Sequence, residues 1–388
     1  MRSQAQTPAK LVGSKWQSIR ENFSLMPGLT NLNNGVSPAL NVCVNKYHEM
    51  MQFSAAFPMK NEPEMWGMTS GTRNKLASLM GTKPENLALV RSTTEAMQTV
   101  VSGLDMTAAD EIILSNYEYP SLVEAVEYKK ARFGVSINML NFSFLTSDDE
   151  IVATIQRSLS SKTKLLAISH VSYKTGRILP VKEICAVAAA AGVEVLVDGA
   201  HAIAQFQFNV EDLGCDYYAG SLHKWLCGPM GSGVLFVKEN RAEKLWPLFG
   251  QTDLADKTAK KFEADYTYAM AAHVATEPAL DFHFQMGAES REKQLRSIKN
   301  QVLAVVSQFS EVEIITPANE QKSCAMFAAL FKNHDAIELY KTLLEKYKIA
   351  VGGHRNPEGV SLRFAPNIYT SNEDIELLSK ALKELLKA

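Results

Sequence analysis

From about residue 85 the chain alternates short β-branched apolar runs with longer stretches of helical apolar spacing, a pattern that predicts a parallel sheet with crossover helices. The runs Glu111–Ser115, Val135–Asn141, Lys164–Ser169, Val193–Asp198, Tyr217–Ala219 and Gly233–Val237 read as strands. Between them Ser121–Phe133, Asp149–Leu159 and Val181–Ala191 read as helices, the last closed by Gly192 as a C-cap signal. Upstream, the short apolar run Leu87–Val90 leads through Arg91–Ala96 into an apolar-periodic helix to about Leu104. Near Pro278 the pattern changes to a long helix from about Phe282 to Phe309, a strand, an apolar strand Ala325–Phe331, a helix to Tyr347, two short strands and a closing helix from Glu373. Residues 1–40, with Pro27, Gly28, Gly35 and Pro38, read as irregular and lying across the larger body. The expectation is an N-terminal segment (1–40), a large doubly wound, mostly parallel α/β domain (41–276) and a smaller α+β domain (277–388).

The length of 388 residues agrees with two domains at roughly 150 residues each. Forty basic against 42 acidic residues leave a net charge of −2, which gives no electrostatic footprint for nucleic acid or an anionic membrane. Five cysteines, spread widely and never in a CxxC pair, suggest neither a disulfide framework nor a zinc site, so a reducing compartment fits. The most apolar stretch, Ile184–Val197, is broken by Gly192 and Glu194 and falls short of the roughly 20 residues of a membrane helix. The first residues carry one early Arg and no apolar run, unlike a secretion signal. The expected location is the cytoplasm, or the periplasm if an export signal has been removed.

The stretch Val193–Val237 carries the chemistry. A strand ends in Asp198, and a second strand leads into Ser221-Leu222-His223-Lys224, which places an amine at the same sheet edge if the strands are parallel neighbours. Strand-end aspartates usually cap the next helix, and a loop lysine is usually solvated. Together, and with the return Gly228–Gly233 into an antiparallel strand, they suit pyridoxal phosphate, which Lys holds as a Schiff base while Asp keeps its ring nitrogen protonated. Ser92 with Glu95 three positions on reads as a capping box, putting the Thr93 and Thr94 amides and hydroxyls at a helix N-terminus, where phosphate binds. GPMGSG spells GxxGxG before a strand, not the dinucleotide GxGxxG after one, and the eight histidines include no HExxH.

The phrases NLNNG (31–35), RSTTEA (91–96), EYPS (118–121), SHVSYKTGRILP (169–180), DGAHA (198–202), DYYAGSLHKWL (216–226) and GVSLRFAPNIYTSNEDI (359–375) together resemble class V aminotransferases of fold type I. The resemblance is closest to the isopenicillin N epimerase-like branch, relatives of cysteine desulfurases. It implies Lys224 as the Schiff-base lysine, Asp198 as partner of the pyridinium nitrogen and His201 near the cofactor's phenolic oxygen. It further implies Tyr119 as the ring stacked on the pyridine, Thr93, Thr94, Ser221 and His223 at the phosphate, and Ser172 and Tyr173 as contacts in a loop where desulfurases carry Asn. Thr267, at the family's usual offset ahead of Asp281 in ALDF, matches a threonine that reaches the phosphate of a neighbouring subunit, although Tyr266 stands where the family has glycine. A homodimer with a shared active site follows from that match. Arg363 matches the arginine that fixes the substrate α-carboxylate, with Arg355, Asn33 and Asn34 as further substrate contacts, so the N-terminal segment would help to close the site.

The resemblance implies a pyridoxal-phosphate enzyme acting at Cα or Cβ of a small amino acid, of the epimerase or aminotransferase type. A cysteine or sulfoxide C–S lyase is the alternative within the class, and a cofactor-binding protein without turnover the alternative outside it. Desulfurases need a thiolate on a mobile loop shortly before the carboxylate-binding Arg. Here that loop reads Val351–Pro357 with no Cys, and Cys324, well upstream in the apolar run SCAMFAAL, reads as a buried small hydrophobe. Persulfide formation is therefore not expected.

Overall fold

The computed structural model describes residues 16–250, 253, 255–263, 270–356 and 359–386. After the short strand β1 (Thr30–Asn31) come two helices, α1 (Asn41–Ala56) and α2 (Pro58–Met80), which the apolar pattern did not announce. The inward residues of α2 include Met65, Thr69, Thr72, Arg73, Leu76 and Met80, a helical stripe in which polar residues alternate with apolar ones. Polar members are tolerated because they are matched: the Thr72 hydroxyl donates to the His273 carbonyl at 2.9 Å, and Arg73 pairs with Glu263 at 2.7 Å.

The alternating region then follows as β2 (Leu87–Val90), α3 (Thr93–Gly103), β3 (Glu111–Ser115), α4 (Pro120–Phe133), β4 (Ser136–Leu140), α5 (Asp148–Ser158), β5 (Thr163–Ser169), α6 (Val181–Ala190), β6 (Glu194–Asp198), the single turn α7 (Val210–Leu213), β7 (Tyr217–Ser221) and β8 (Gly233–Val237). The strands form one seven-stranded sheet in the order β2-β8-β7-β6-β5-β3-β4. Every pairing is parallel except those of β8, which runs antiparallel to both β7 and β2, as expected for a return loop without a crossover helix. One face packs under Met97, Val100, Leu122 and Val126 of α3 and α4; the other packs under Leu76, Ile151, Ile155, Ile184 and Ala188 of α2, α5 and α6. With both faces covered, β2, β7 and β8 are buried along their whole lengths.

Beyond the turn α8 (Ala271–Val274), the expected long helix is two: α9 (Glu277–Met286) and α10 (Ala288–Val306). They break at Gly287, whose φ of 77° and ψ of 127° leave the helical region. The small domain adds β9 (Val312–Ile314), β10 (Phe327–Phe331), α11 (Ala336–Glu345), β11 (Ile349–Ala350), β12 (Gly352–Asn356), β13 (Gly359–Phe364) and α12 (Asn372–Leu385). Its antiparallel sheet, in the order β12-β13-β10-β9, shares a core with Val302 and Val306 of α10, Leu343 of α11 and Leu378 and Leu382 of α12.

The described part of the N-terminal segment is mostly irregular beyond one 3-10 helix and β1, and it packs on both domains: Ile19, Phe23 and Leu40 join the large-domain core. β1 pairs in parallel with β11, Leu32 belongs to the small domain's core, and Arg20 and Thr30 both reach Asp374 on α12, at 2.7 and 2.8 Å. The fixing partners lie near the opposite end of the chain, beyond the reach of local pattern. Among the described residues no helix is long and apolar enough to cross a membrane.

Candidate active site

The carboxyl ends of β5, β6 and β7 and the N-terminus of α3 frame a cavity of about 520 Å³, which Asn33, Gly35, His354 and Arg363 close from the small-domain side. Asp198, the last residue of β6, is buried and accepts a hydrogen bond from the Ala200 amide at 2.9 Å. Desolvation raises its pKa, and the nearby Lys224 cation acts against that rise. Lys224 stands just beyond the end of β7. Its Nζ lies 3.3 Å from His201 Nε2 and 5.9 Å from the Tyr119 ring centroid. Removal from water pulls its pKa down to about 8, Asp198 opposing and the Arg363 charge assisting.

His201 Nδ1 accepts the indole N–H of the fully buried Trp225 at 3.3 Å. Burial, and then the charges of Lys224 and Arg363, keep the imidazole neutral. A neutral ring that accepts at Nδ1 carries its proton at Nε2, so it presents an N–H to the free-base form of Lys224.

At the N-terminus of α3, Ser92 accepts from the Glu95 amide at 3.2 Å. The reciprocal half of the expected capping box is absent. The Glu95 carboxylate turns instead to the Arg91 amide (2.7 Å) and guanidinium (2.9 Å), because the neighbouring cation offers it charge-assisted bonds. Thr93 shares a 2.6 Å hydroxyl contact with Ser221 at the end of β7, and Thr94 donates to Ser121 in the first turn of α4 at 3.2 Å. All four hydroxyls line the cavity, as does His223, whose Nδ1 lies 3.2 Å from the Ser232 carbonyl. Two helix N-termini thus face one place, a favourable setting for a phosphate.

Arg363 on β13 forms the opposite wall. It is 6% exposed, donates to the Tyr173 carbonyl at 2.5 Å and to Asn33 Oδ1 at 2.7 Å, and leaves Nε without a partner. It makes no ion pair among the described residues, and burial pulls its pKa down to about 10. Gly35 lets the chain pass this close: a Cβ there would lie 2.5 Å from the guanidinium. Tyr173 stacks edge-on against both Tyr119 (centroids 5.0 Å apart) and His354 (5.4 Å).

Of the residues singled out in the sequence, the fold brings Asn33, Thr93, Thr94, Tyr119, Tyr173, Asp198, His201, Ser221, His223, Lys224 and Arg363 to this cavity. Three do not line it. Ser172 is buried in its own turn, accepting from the Thr175 amide at 3.4 Å. Asn34 is buried between β1 and the small domain and donates to the Ala365 carbonyl at 2.7 Å. Arg355 points to solvent because, on the pleated β12, it alternates with the inward His354. Thr267 lies outside the described residues.

Other site residues escaped the sequence reading. His354 lines the cavity beside Arg355, the residue of this stretch that the sequence reading had singled out. Glu118 is buried behind Asp198, accepting from Ser115 at 2.5 Å and Ser169 at 2.7 Å, and desolvation lifts its carboxyl to about 8. Its signal was its place before Tyr119 in EYPS. Cys324 is fully buried, donates to the Gln205 carbonyl at 3.1 Å and has its thiol pushed up to about 12 by burial.

The family model for aminotransferase class V matches residues 40–378. The chain is 30% identical to isopenicillin N epimerase of Streptomyces clavuligerus over 394 residues, covering 95% of this chain and 98% of that protein. It is 30% identical to a probable cysteine desulfurase of Halalkalibacterium halodurans over 341 residues, 81% of each chain. Among solved structures, a cystine C–S lyase in complex with its product cysteine persulfide superposes with a TM-score of 0.84 at 23% identity, over 92% of this chain and 97% of that one. With its model matched over most of the length and its lysine, aspartate and arginine gathered in one cavity, the chain belongs to the class V aminotransferase family, within the fold type I pyridoxal-phosphate-dependent enzymes.

Proposed function

We propose that the protein acts at Cα or Cβ of a small amino acid, as an epimerase or aminotransferase of the isopenicillin N epimerase-like branch. The observation that carries this is Arg363: a buried guanidinium with no carboxylate of its own among the described residues faces Lys224 and Asp198 across one cavity. A zwitterionic substrate supplies the missing carboxylate, and the planar fork suits it.

The residues present fit pyridoxal phosphate. Lys224, with its lowered pKa, is the amine that would hold the cofactor's aldehyde carbon, and the desolvated Asp198 carboxylate would keep a proton on the ring nitrogen. Thr93, Thr94, Ser221 and His223 would take the phosphate, and Tyr119 would lie against the ring. When bound, the cofactor supplies an electron sink that labilises the substituents of the substrate's Cα. Lys224 Nζ, near neutrality between its two protonation states, carries a proton to and from Cα. The neutral His201 holds that amine without adding charge, and Asn33 and Tyr173 hold Arg363 for the substrate carboxylate. The described lining contains no cysteine, which disfavours a persulfide-forming reaction. The active form is a cytoplasmic homodimer in which Thr267 serves the neighbouring subunit's phosphate; a fully active monomer in sedimentation would contradict this.

The test is a panel of amino acids given to the holoprotein and scored for keto acid, pyruvate, sulfide and loss of chirality. Loss of chirality or keto acid is expected. Sulfide with pyruvate would favour the C–S lyase, and an unchanged panel would leave a binding protein. Lys224→Ala is expected to lower turnover at least a thousandfold, in the range for removing a nucleophile and proton carrier together. Wild-type turnover in that variant would refute the assignment.

A further inference from the structure

A second cavity, of about 210 Å³, lies on the far side of the loop that carries His201. Its walls are the end of α2 (Leu79, Met80), the segment Ile203–Phe208, and His283 and Phe284 of α9. His283 is 3% exposed, yet neither of its ring nitrogens has a hydrogen-bond partner. An imidazole so enclosed ordinarily has at least one partner, because an unmatched buried polar group costs roughly 1–3 kcal/mol. Burial, aided by the Arg291 guanidinium behind it, keeps the ring neutral, so it offers one donor and one acceptor. Arg291 is itself buried; it donates to the carbonyls of Ala204 and Trp225 and has no carboxylate partner among the described residues, so a cationic guest is disfavoured.

Phe206, Phe208 and Phe284 supply aromatic walls, and Phe284, 44% exposed, and the exposed Gln207 mark the mouth. Apolar cavities of about 150 Å³ accept a benzene ring. A volume of about 210 Å³ therefore takes one ring with a polar substituent, or a fused bicycle. The shared wall has a direct connection to the active site. Gln205 donates to the His201 carbonyl at 2.5 Å and accepts from the Ala325 amide at 3.0 Å, and Ala204 between them holds a left-handed φ of 61°. Displacing Ile203–Phe208 thus bears on the backbone of the residue that touches Lys224.

We propose that this cavity is an effector site for a small neutral aromatic molecule bearing one hydroxyl or ring N–H, held by His283 and felt at His201 through the Gly199–Phe208 segment. The proposal does not depend on which reaction the active site performs. Phenol, indole and toluene, titrated into the holoprotein by calorimetry, test it. Phenol and indole should bind at one site per chain with toluene about tenfold weaker, the value of one hydrogen bond. Ala288→Trp, at a half-buried lining position, should abolish the heat, and His283→Phe should bring phenol and toluene to equal affinity. In the same titration the fluorescence of Trp225, taken as the difference from Trp225→Phe, should saturate with the heat, because its indole is bonded to His201. The proposal is overturned by absence of heat with all three probes, by heat unchanged in Ala288→Trp, by equal wild-type affinity for phenol and toluene, or by saturation without a Trp225 signal. Ala288→Trp keeps the test decisive should His283→Phe fail to fold.

Discussion

Arg73 in the large domain and Arg363 in the small one are equally hidden, at 9% and 6% exposure, and both leave Nε unmatched. They differ in what faces the rest of the fork. Arg73 meets both carboxylate oxygens of Glu263, at 2.7 and 2.8 Å, and Glu263 also accepts the Leu89 amide of β2 at 2.7 Å, so the charge is neutralised within the fold and ties α2 to the sheet. Arg363 meets only a carbonyl and an amide oxygen and opens on a cavity. Burial of a cation marks a ligand site when the neutralising anion is not built into the chain and the cation lines a cavity; Arg291, also without a carboxylate among the described residues, is instead taken up by the carbonyls of Ala204 and Trp225.

The sharpest way to break this contrast is to remove charges one at a time. Glu263→Ala, which strands Arg73, is expected to cost about 3–5 kcal/mol of unfolding free energy, read from denaturant melts. Arg363→Leu strands no charge, leaving only the half-buried Tyr173 carbonyl and Asn33 Oδ1 to water in the cavity, and should leave stability within about 1 kcal/mol of wild type or raise it. The same Arg363→Leu should weaken amino-acid binding by roughly 2–5 kcal/mol, measured by spectral titration of the holoprotein; unchanged affinity would place the substrate carboxylate elsewhere.

A carboxyl without a cation gives the complementary case. Glu118, lifted from 4.5 to about 8, retains in the native chain a proton that the unfolded chain has released between those values. Its contribution is complete below pH 4.5 and is lost as pH rises through 8, by at most about 1.4 kcal/mol per pH unit. Glu118→Gln should flatten the pH dependence of stability across that window, and an unaltered slope would show that Glu118 is ionised in the native state. The smallest effect belongs to Asn33→Ala, which removes one of the two acceptors holding Arg363: a loss of about 1 kcal/mol in amino-acid affinity, with stability little changed.

The inner parallel strands were legible because they are buried apolar runs ending where a polar residue is used, as in Val193–Asp198; the edge strand β4 is mostly exposed or half-buried. The cavity's lysine, aspartate and hydroxyls were legible for the same reason. The helices α1 and α2 were not, because their inward stripe carries Thr and Arg whose partners, His273 and Glu263, lie far along the chain. The break at Gly287 was hidden in an otherwise continuous helical pattern. Arg355 and His354 are adjacent residues of opposite fate, decided by the register of β12 against β13, which composition does not encode. Glu118 was overlooked because its partners, Ser115 and Ser169, end two separate strands.

The pairing of β1 with β11, and the reach of Asn33 to Arg363, make the small domain discontinuous: its first strand is made before the large domain and its sheet after it. On the ribosome the large sheet can close while Thr30–Asn31 still has no partner, and the contact that aims Arg363 must await the synthesis of β13. Such long-range closure is slow compared with helix and hairpin formation. Competence to bind an amino acid should therefore be among the last properties acquired by the nascent chain, after the residues that receive the cofactor are already in place.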